Sequence, residues 1–201
     1  MPAGRYRVMD GEGNPVGAET FRCAPGPAGW RYFSEIDTSD PEQHRERVDL
    51  VVDDRWRPVR LVIDTGSHSL ALLNRGDVLE GTRDNEPIEI PFGPDHHLDY
   101  LSPSFNAVTV QRLTGTTGIE VVYLEPVTCA PLPERQRYEL VDSNERVDTP
   151  VGTFSASRWI YHQERTGWNR PLWVAGDVVV AYEDLYALEE LEPGPGGPFP
   201  D

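Results

Sequence analysis

Glycine, proline and paired acidic residues interrupt this chain every few residues, and the pieces between them alternate apolar and polar side chains. A helix needs an apolar repeat near 3.6 sustained over three or more turns, whereas alternation over four to eight residues is the period of a strand with one wet face. Trp30–Asp37 is the clearest case: Trp30, Tyr32, Ser34 and Ile36 alternate with Arg31, Phe33 and Glu35. Arg5–Met9 and Val16–Cys23 flank Gly-Glu-Gly-Asn-Pro, a turn by composition, and Arg47–Asp53 and Pro58–Asp64 enclose a second connection. Shorter segments follow at Ser69–Leu73, Val78–Gly81 and Pro87–Phe92. The second half continues through Ile119–Glu125, Arg137–Asp142, Gly152–Gln163, Pro171–Ala175, Val178–Glu183 and Tyr186–Leu191. On Gly152–Gln163 the alternation puts Trp159 and Tyr161 with Ser155 and Ser157, opposite Phe154, Ala156, Arg158 and Ile160.

Sequential strands joined by tight turns pair with their neighbours, so the expected fold is all-β: a single antiparallel meander. One this long must dispose of its edges, curling into a barrel or an open clam. The 201 residues suffice for such a core without metals or disulfides. One segment breaks the pattern: Ser102-Pro103 is a capping residue followed by proline at a first helical position, which predicts a short helix within Ser102–Leu113. Phe105, Val108, Thr109 and Arg112 would share a face, against the β-branched run 108–110. One or two short helices are expected in all. The domain is expected to span residues 1–191. Residues 192–201, rich in proline and glycine, are expected to form a disordered tail.

The formal charge is −16 and all 18 basic residues are arginine, a field that repels phosphate backbones and anionic lipid surfaces. Nucleic acid is therefore excluded as a partner. With no apolar stretch near 20 residues and no basic-then-apolar start, neither membrane insertion nor a signal peptide is expected. Cys23 and Cys129 are far apart and outside any Cys-x-x-Cys spacing, which fits reduced, buried thiols in a cytoplasmic protein. Oligomerisation is left open.

Several motifs bear on chemistry. Asp64-Thr65-Gly66-Ser67 after an apolar run is similar to an aspartic-protease loop, but that chemistry needs two such loops and one copy is present, so the segment reads as a turn. Asp95-His96-His97-Leu98-Asp99 is the densest group of potential metal ligands. On a strand its two imidazoles would point apart, no second pair completes a set, and it reads as a solvated loop without metal. Nucleophile elbows and phosphate loops are absent, and no cofactor is expected. What remains is aromatic: five tryptophans and eight tyrosines, most on predicted strands. Such rings are ordinary sheet core, but the concave face of a curled sheet is either plugged or open to a ligand. The open alternative predicts a pocket lined by Trp30, Tyr32, Trp56, Phe105, Tyr123, Trp159 and Tyr161, holding a small apolar or amphipathic molecule, lipid-like or polyketide-like. A rival from another class is a β-barrel cyclase, which folds a flexible substrate in the same pocket and catalyses chiefly by proximity.

Asp99-Tyr100-Leu101-Ser102-Pro103-Ser104-Phe105-Asn106, running on to Gln111-Arg112-Leu113, resembles the signature of a glycolipid-binding family: an Asp, then Ser/Thr-Pro-x-x-Asn, then Arg-Leu. The proline usual before Arg-Leu is replaced here by Val108–Val110. Trp173–Tyr182 resembles that family's closing strand pair, and Thr149–Phe154 resembles periplasmic proteins with a related sheet, so the likeness covers about half the chain. It implies a strongly bent antiparallel sheet with a small helix in its mouth, similar to bacterial lipoprotein carriers, and an apolar ligand. The residues carried over are Asp99, Ser102, Asn106 and Arg112, with Asp99 and Arg112 expected to pair and anchor the segment.

Overall fold

The computed structural model describes residues 2–26, 29–40, 42–192 and 194. The first eight strands are β1 (Ala3–Met9), β2 (Pro15–Gly26), β3 (Gly29–Thr38), β4 (His44–Asp53), β5 (Pro58–Asp64), β6 (Ser69–Asn74), β7 (Val78–Arg83) and β8 (Glu86–Pro91). After β9 (His97–Asp99) and the one helix among the described residues, α1 (Pro103–Gln111), come β10 (Thr117–Leu124), β11 (Pro131–Thr149), β12 (Gly152–Gln163), β13 (Asn169–Ala175), β14 (Val178–Tyr182) and β15 (Tyr186–Glu192). All fifteen strands belong to one sheet of order β8-β7-β6-β5-β4-β3-β2-β1-β15-β14-β13-β12-β11-β10-β9. Two runs of hairpins thus leave the central β1–β15 pair in opposite directions. Every ladder is antiparallel except β9 with β10, which the helical crossover makes parallel. The sheet is open, with β8 and β9 at its edges.

Local chemistry sets these turns and edges. Asp84 and Asn85 both hold positive φ between β7 and β8, the two-residue hairpin geometry that suits right-handed strand twist. Between β5 and β6, Asp64 accepts from the Gly66 amide at 2.8 Å while Gly66 sits at φ 81°. Asp-Thr-Gly is therefore a capped turn, with Asp64 exposed. Its Thr65 is buried and donates to the Val127 carbonyl at 2.8 Å, and Arg83 donates to the Thr128 carbonyl at 3.0 Å, which ties the β10–β11 loop to the first-half hairpins. Pro87, Pro91 and two glutamates blunt edge strand β8, and β9 offers three residues to an intruding strand.

The core includes the inward rows Val48, Leu50, Val52 on β4 and Leu61, Ile63 on β5, together with α1, which packs chiefly against β14 and β9. From Pro103 to Val110 every residue of α1 is buried. The helix is thus enclosed on all sides rather than presenting the single face that the sequence suggests. Burial also overrides the weak helix propensity of Val108–Val110, because most helical stability in proteins comes from packing. Its N-cap Ser102 accepts from the Ser104 amide and donates to Glu19 Oε1 at 2.7 Å, anchoring the helix to β2.

Three expectations are corrected. The buried residues of β12 are Phe154, Ala156, Trp159 and Tyr161, because the alternation shifts by one between Ala156 and Trp159, where β11 opposite carries two register shifts. The Asp95–Asp99 segment is a solvated loop only at its start: His97, Leu98 and Asp99 are the buried strand β9. Strand β11 runs 19 residues where the sequence marks six, since its outer half is polar on both faces. The tail expectation lies outside the described residues from 195 on; β15 itself runs to Glu192.

Ser102→Ala removes the cap and the Ser102 hydroxyl donor to the buried Glu19 carboxyl, so urea unfolding should show a loss of about 3 kcal/mol with an unchanged m-value. A change within about 0.5 kcal/mol would show that the anchor contributes little.

Candidate functional site

Where the two runs of hairpins meet the start of α1, side chains from six elements line a solvent-open cavity of about 220 Å³. Strand β9 delivers Asp99, α1 delivers Asn106, and β10 delivers Tyr123, which stands beside Asp99 in the parallel register. Tyr161 comes from β12, Trp168 from the following loop, and Tyr182 and Tyr186 from the β14–β15 hairpin, where they are register partners. The turn between β1 and β2 supplies Asp10 and Gly11 at the rim.

The rings form a continuous belt. Tyr161 meets Trp168 edge-on at 5.6 Å between centroids, Trp168 meets Tyr182 at 6.2 Å, and Tyr182 meets Tyr186 at 6.2 Å. Behind them Tyr138 braces Tyr161 at 5.4 Å, and its hydroxyl accepts from Asn106 at 2.8 Å. Such offset and edge contacts fix ring orientation beyond what area burial alone does. One charged group stands among them. Asp99 Oδ2 accepts from Gln136 at 2.5 Å and weakly from the Tyr161 hydroxyl at 3.4 Å. Burial pushes its carboxyl up to about 6, against the Gln136 bond and with help from nearby Glu134. The phenols stay neutral: burial raises Tyr123 to about 12 and Tyr161 further. Aromatic walls around one carboxylate can hold an apolar body and orient a polar or charged end.

A second polar cluster lies deeper. Tyr100 donates to Glu46 Oε2 at 2.6 Å, and His44 Nε2 lies 2.7 Å from Glu46 Oε1. Glu19 is fully buried, receives the Ser102 hydroxyl, and its Oε2 has no well-formed hydrogen bond among the described residues. Burial raises its carboxyl to about 7, against its hydroxyl contacts.

The structure brings Tyr123, Tyr161, Asp99, Ser102 and Asn106 together at the cavity. It places the other residues elsewhere. Phe105 and Trp159 are packed in the core, and Tyr32 is buried with its hydroxyl on the Asp177 carbonyl at 3.2 Å. Trp30 and Trp56 stack on each other at 5.5 Å by the β4–β5 turn. Asp99 and Arg112 do not pair: Arg112 donates to the carbonyls of His96 and Pro94, clamping the β8–β9 connection. Trp168, Tyr182, Tyr186 and Gln136 are the residues that sequence reasoning leaves out. The first three come together through the successive β12–β13, β13–β14 and β14–β15 pairings, whose registers alternation does not supply. His97 is buried, with its Nδ1 3.3 Å from Thr109 Oγ1, and burial lowers its pKa to about 3. Among the described residues no three metal-ligating side chains converge.

No family model matches the chain, and no curated protein matches it in sequence. Solved structures do resemble it. A DUF1089 family protein from Pseudomonas aeruginosa superposes with a TM-score of 0.62 at 17% identity, covering 87% of this chain and 92% of its own. A β-barrel-like protein of the domain of unknown function DUF1849 from Brucella abortus gives 0.53 at 7% identity, covering 95% and 94%. At these identities the likeness shows the fold: a barrel-like antiparallel sheet. Among the described residues no helix is long and apolar enough to cross a membrane.

Glu19 holds its proton more tightly in the folded chain, at about 7, than at the ordinary 4.5. Folding therefore takes up a proton between those values, and this group's contribution is complete below about pH 4.5 and lost as pH rises through about 7. Glu19→Gln should therefore melt higher than wild type at pH 8, by a margin worth up to about 3 kcal/mol, with the gap closing by pH 5. Equal melting temperatures at both pH values would show that Glu19 ionises freely.

Proposed function

We propose that this chain is a non-enzymatic binding module that takes a small amphipathic molecule into the aromatic cavity between Asp99, Tyr161 and Tyr186. The observation that carries this reading is a cleft of about 220 Å³ bordered by Asp99 and by five aromatic rings, of which Tyr123 and Trp168 are partly exposed and Tyr161, Tyr182 and Tyr186 form the buried floor. A purely structural cluster closes on itself, because interiors pack to crystal-like density. The size sets the ligand's scale. It lies below the ~300–1,000 Å³ of sites that enclose drug-sized molecules, so a compact molecule, or one end of a chain, fits. The resemblance of residues 99–113 to a glycolipid-binding family supports the same location, since Asp99, Ser102 and Asn106 all line the cavity. The buried, unpaired thiols of Cys23 and Cys129 suit work in a reducing cytoplasm.

Apolar area covered on entry would contribute roughly 25 cal/mol per Å², and Asp99 and the phenol hydroxyls would choose the orientation. Tryptophan emission gives the test, since Trp168 borders the cavity. A panel of small amphiphiles is titrated against wild type, Trp168→Ala and Phe105→Ala. Trp168→Ala should weaken binding at least tenfold by calorimetry while costing less stability than a core truncation, because the ring is only partly buried. Phe105→Ala, a core truncation, should cost about 3–5 kcal/mol of stability and leave the affinity of the folded fraction alone. No response to any ligand would sink the binding reading.

A further inference from the structure

We infer that the molecule this cavity holds is an organic cation carrying a substituted ammonium group. The inference deepens the binding reading and rests on it.

The charge balance around the cavity carries the argument. Two guanidiniums lie near the belt, and both are already paired: Arg165 with Glu134 at 3.3 Å, and Arg170 with Asp184 at 3.5 Å. Two carboxylates line the space without a cationic partner among the described residues. Asp99 has only neutral donors, and Asp10 accepts from the amides of Glu12 and Asn14 and from the Asn14 side chain. A buried carboxylate with neutral donors alone is costly to keep ionised, and a cation entering the cavity relieves that cost. A neutral or anionic guest does not.

The walls suit the same guest. Ring faces attract cations placed within about 6 Å of their centroids, and an ammonium bearing methyl groups also gains from apolar contact. Two cavity rings already hold a cation in this way: Arg165 lies 5.8 Å from the Tyr123 centroid and Arg170 lies 5.4 Å from that of Trp168. Among the described residues no guanidinium lies over Tyr161, Tyr182 or Tyr186, but those rings are almost wholly buried, and the rings a guest would meet are the partly exposed Tyr123 and Trp168. The formal charge of −16 draws cations toward the surface in general, which raises encounter rates without choosing a site. Selection is left to the cavity.

Choline and 3,3-dimethyl-1-butanol make the test, because they share a shape and differ in having nitrogen or carbon at the centre. Calorimetry on the full chain should show choline binding at least tenfold more tightly, Trp168→Ala weakening choline, and Asp99→Asn bringing the two affinities together. Circular dichroism confirms that each variant folds. Should Asp99→Asn fail to fold, the ratio measured on wild type decides alone. Equal or tighter binding of the alcohol would overturn the cation and leave the pocket standing; binding of neither at millimolar concentration would overturn both. Co-sedimentation with phosphatidylcholine vesicles separates the sources, since capture assigns a lipid headgroup and binding of choline without capture assigns a free small molecule.

Discussion

Ser102 Oγ is the atom on which the interior of this protein turns. It closes the first turn of α1 by accepting an amide, and it gives its own proton to Glu19 on β2. A helix of nine residues is marginal alone in water, and this one carries three consecutive β-branched residues. It persists because the sheet surrounds it and because its N-terminus is bonded to that sheet. With α1 in place, β9 lies parallel to β10, and Asp99 enters the cavity while Tyr100 reaches Glu46. Both polar clusters thus depend on one short segment, residues 99–106.

Strain accompanies the tie across the open side. Val127 and Cys129 both hold positive φ, a conformation of order 1–3 kcal/mol above the alternatives for non-glycine residues. The loop that contains them is held to Thr65 and Arg83 from the opposite run of hairpins, and Cys129 is buried there. Such a backbone persists where surrounding contacts over-determine it. These contacts join the two flanks of the sheet at a place where no ladder does.

Much of this architecture is legible in the sequence, for reasons that separate local from distant information. Alternation marks Trp30–Asp37 because one face is wet, and the Ser102-Pro103 pair marks a helix start because capping is a one-turn affair. Strand β9 is hidden because three buried residues have no period. The inversion in β12 depends on bulges in its neighbour β11. The cavity divides the same way. Tyr123 and Tyr161 are visible as aromatics on strands, whereas Trp168, Tyr182 and Tyr186 acquire meaning only once the registers of the β12–β15 hairpins are set. Composition identifies which rings are present, but pairing decides which of them share a wall.

The pairing of β1 with β15 has a consequence for how the chain is threaded. Apart from β1 with β15, every ladder joins strands adjacent in sequence, so the sheet is a continuous ribbon whose first and last strands meet in its middle. Reading the ribbon from β9 through β15 to β1 and on to β8 visits every strand in spatial order. A circular permutant opened in the β8–β9 connection, with its former ends linked, would keep the same sheet while turning its one long-range ladder into a hairpin. Contact order would fall, and with it the loop-closure entropy that joining the two flanks now requires.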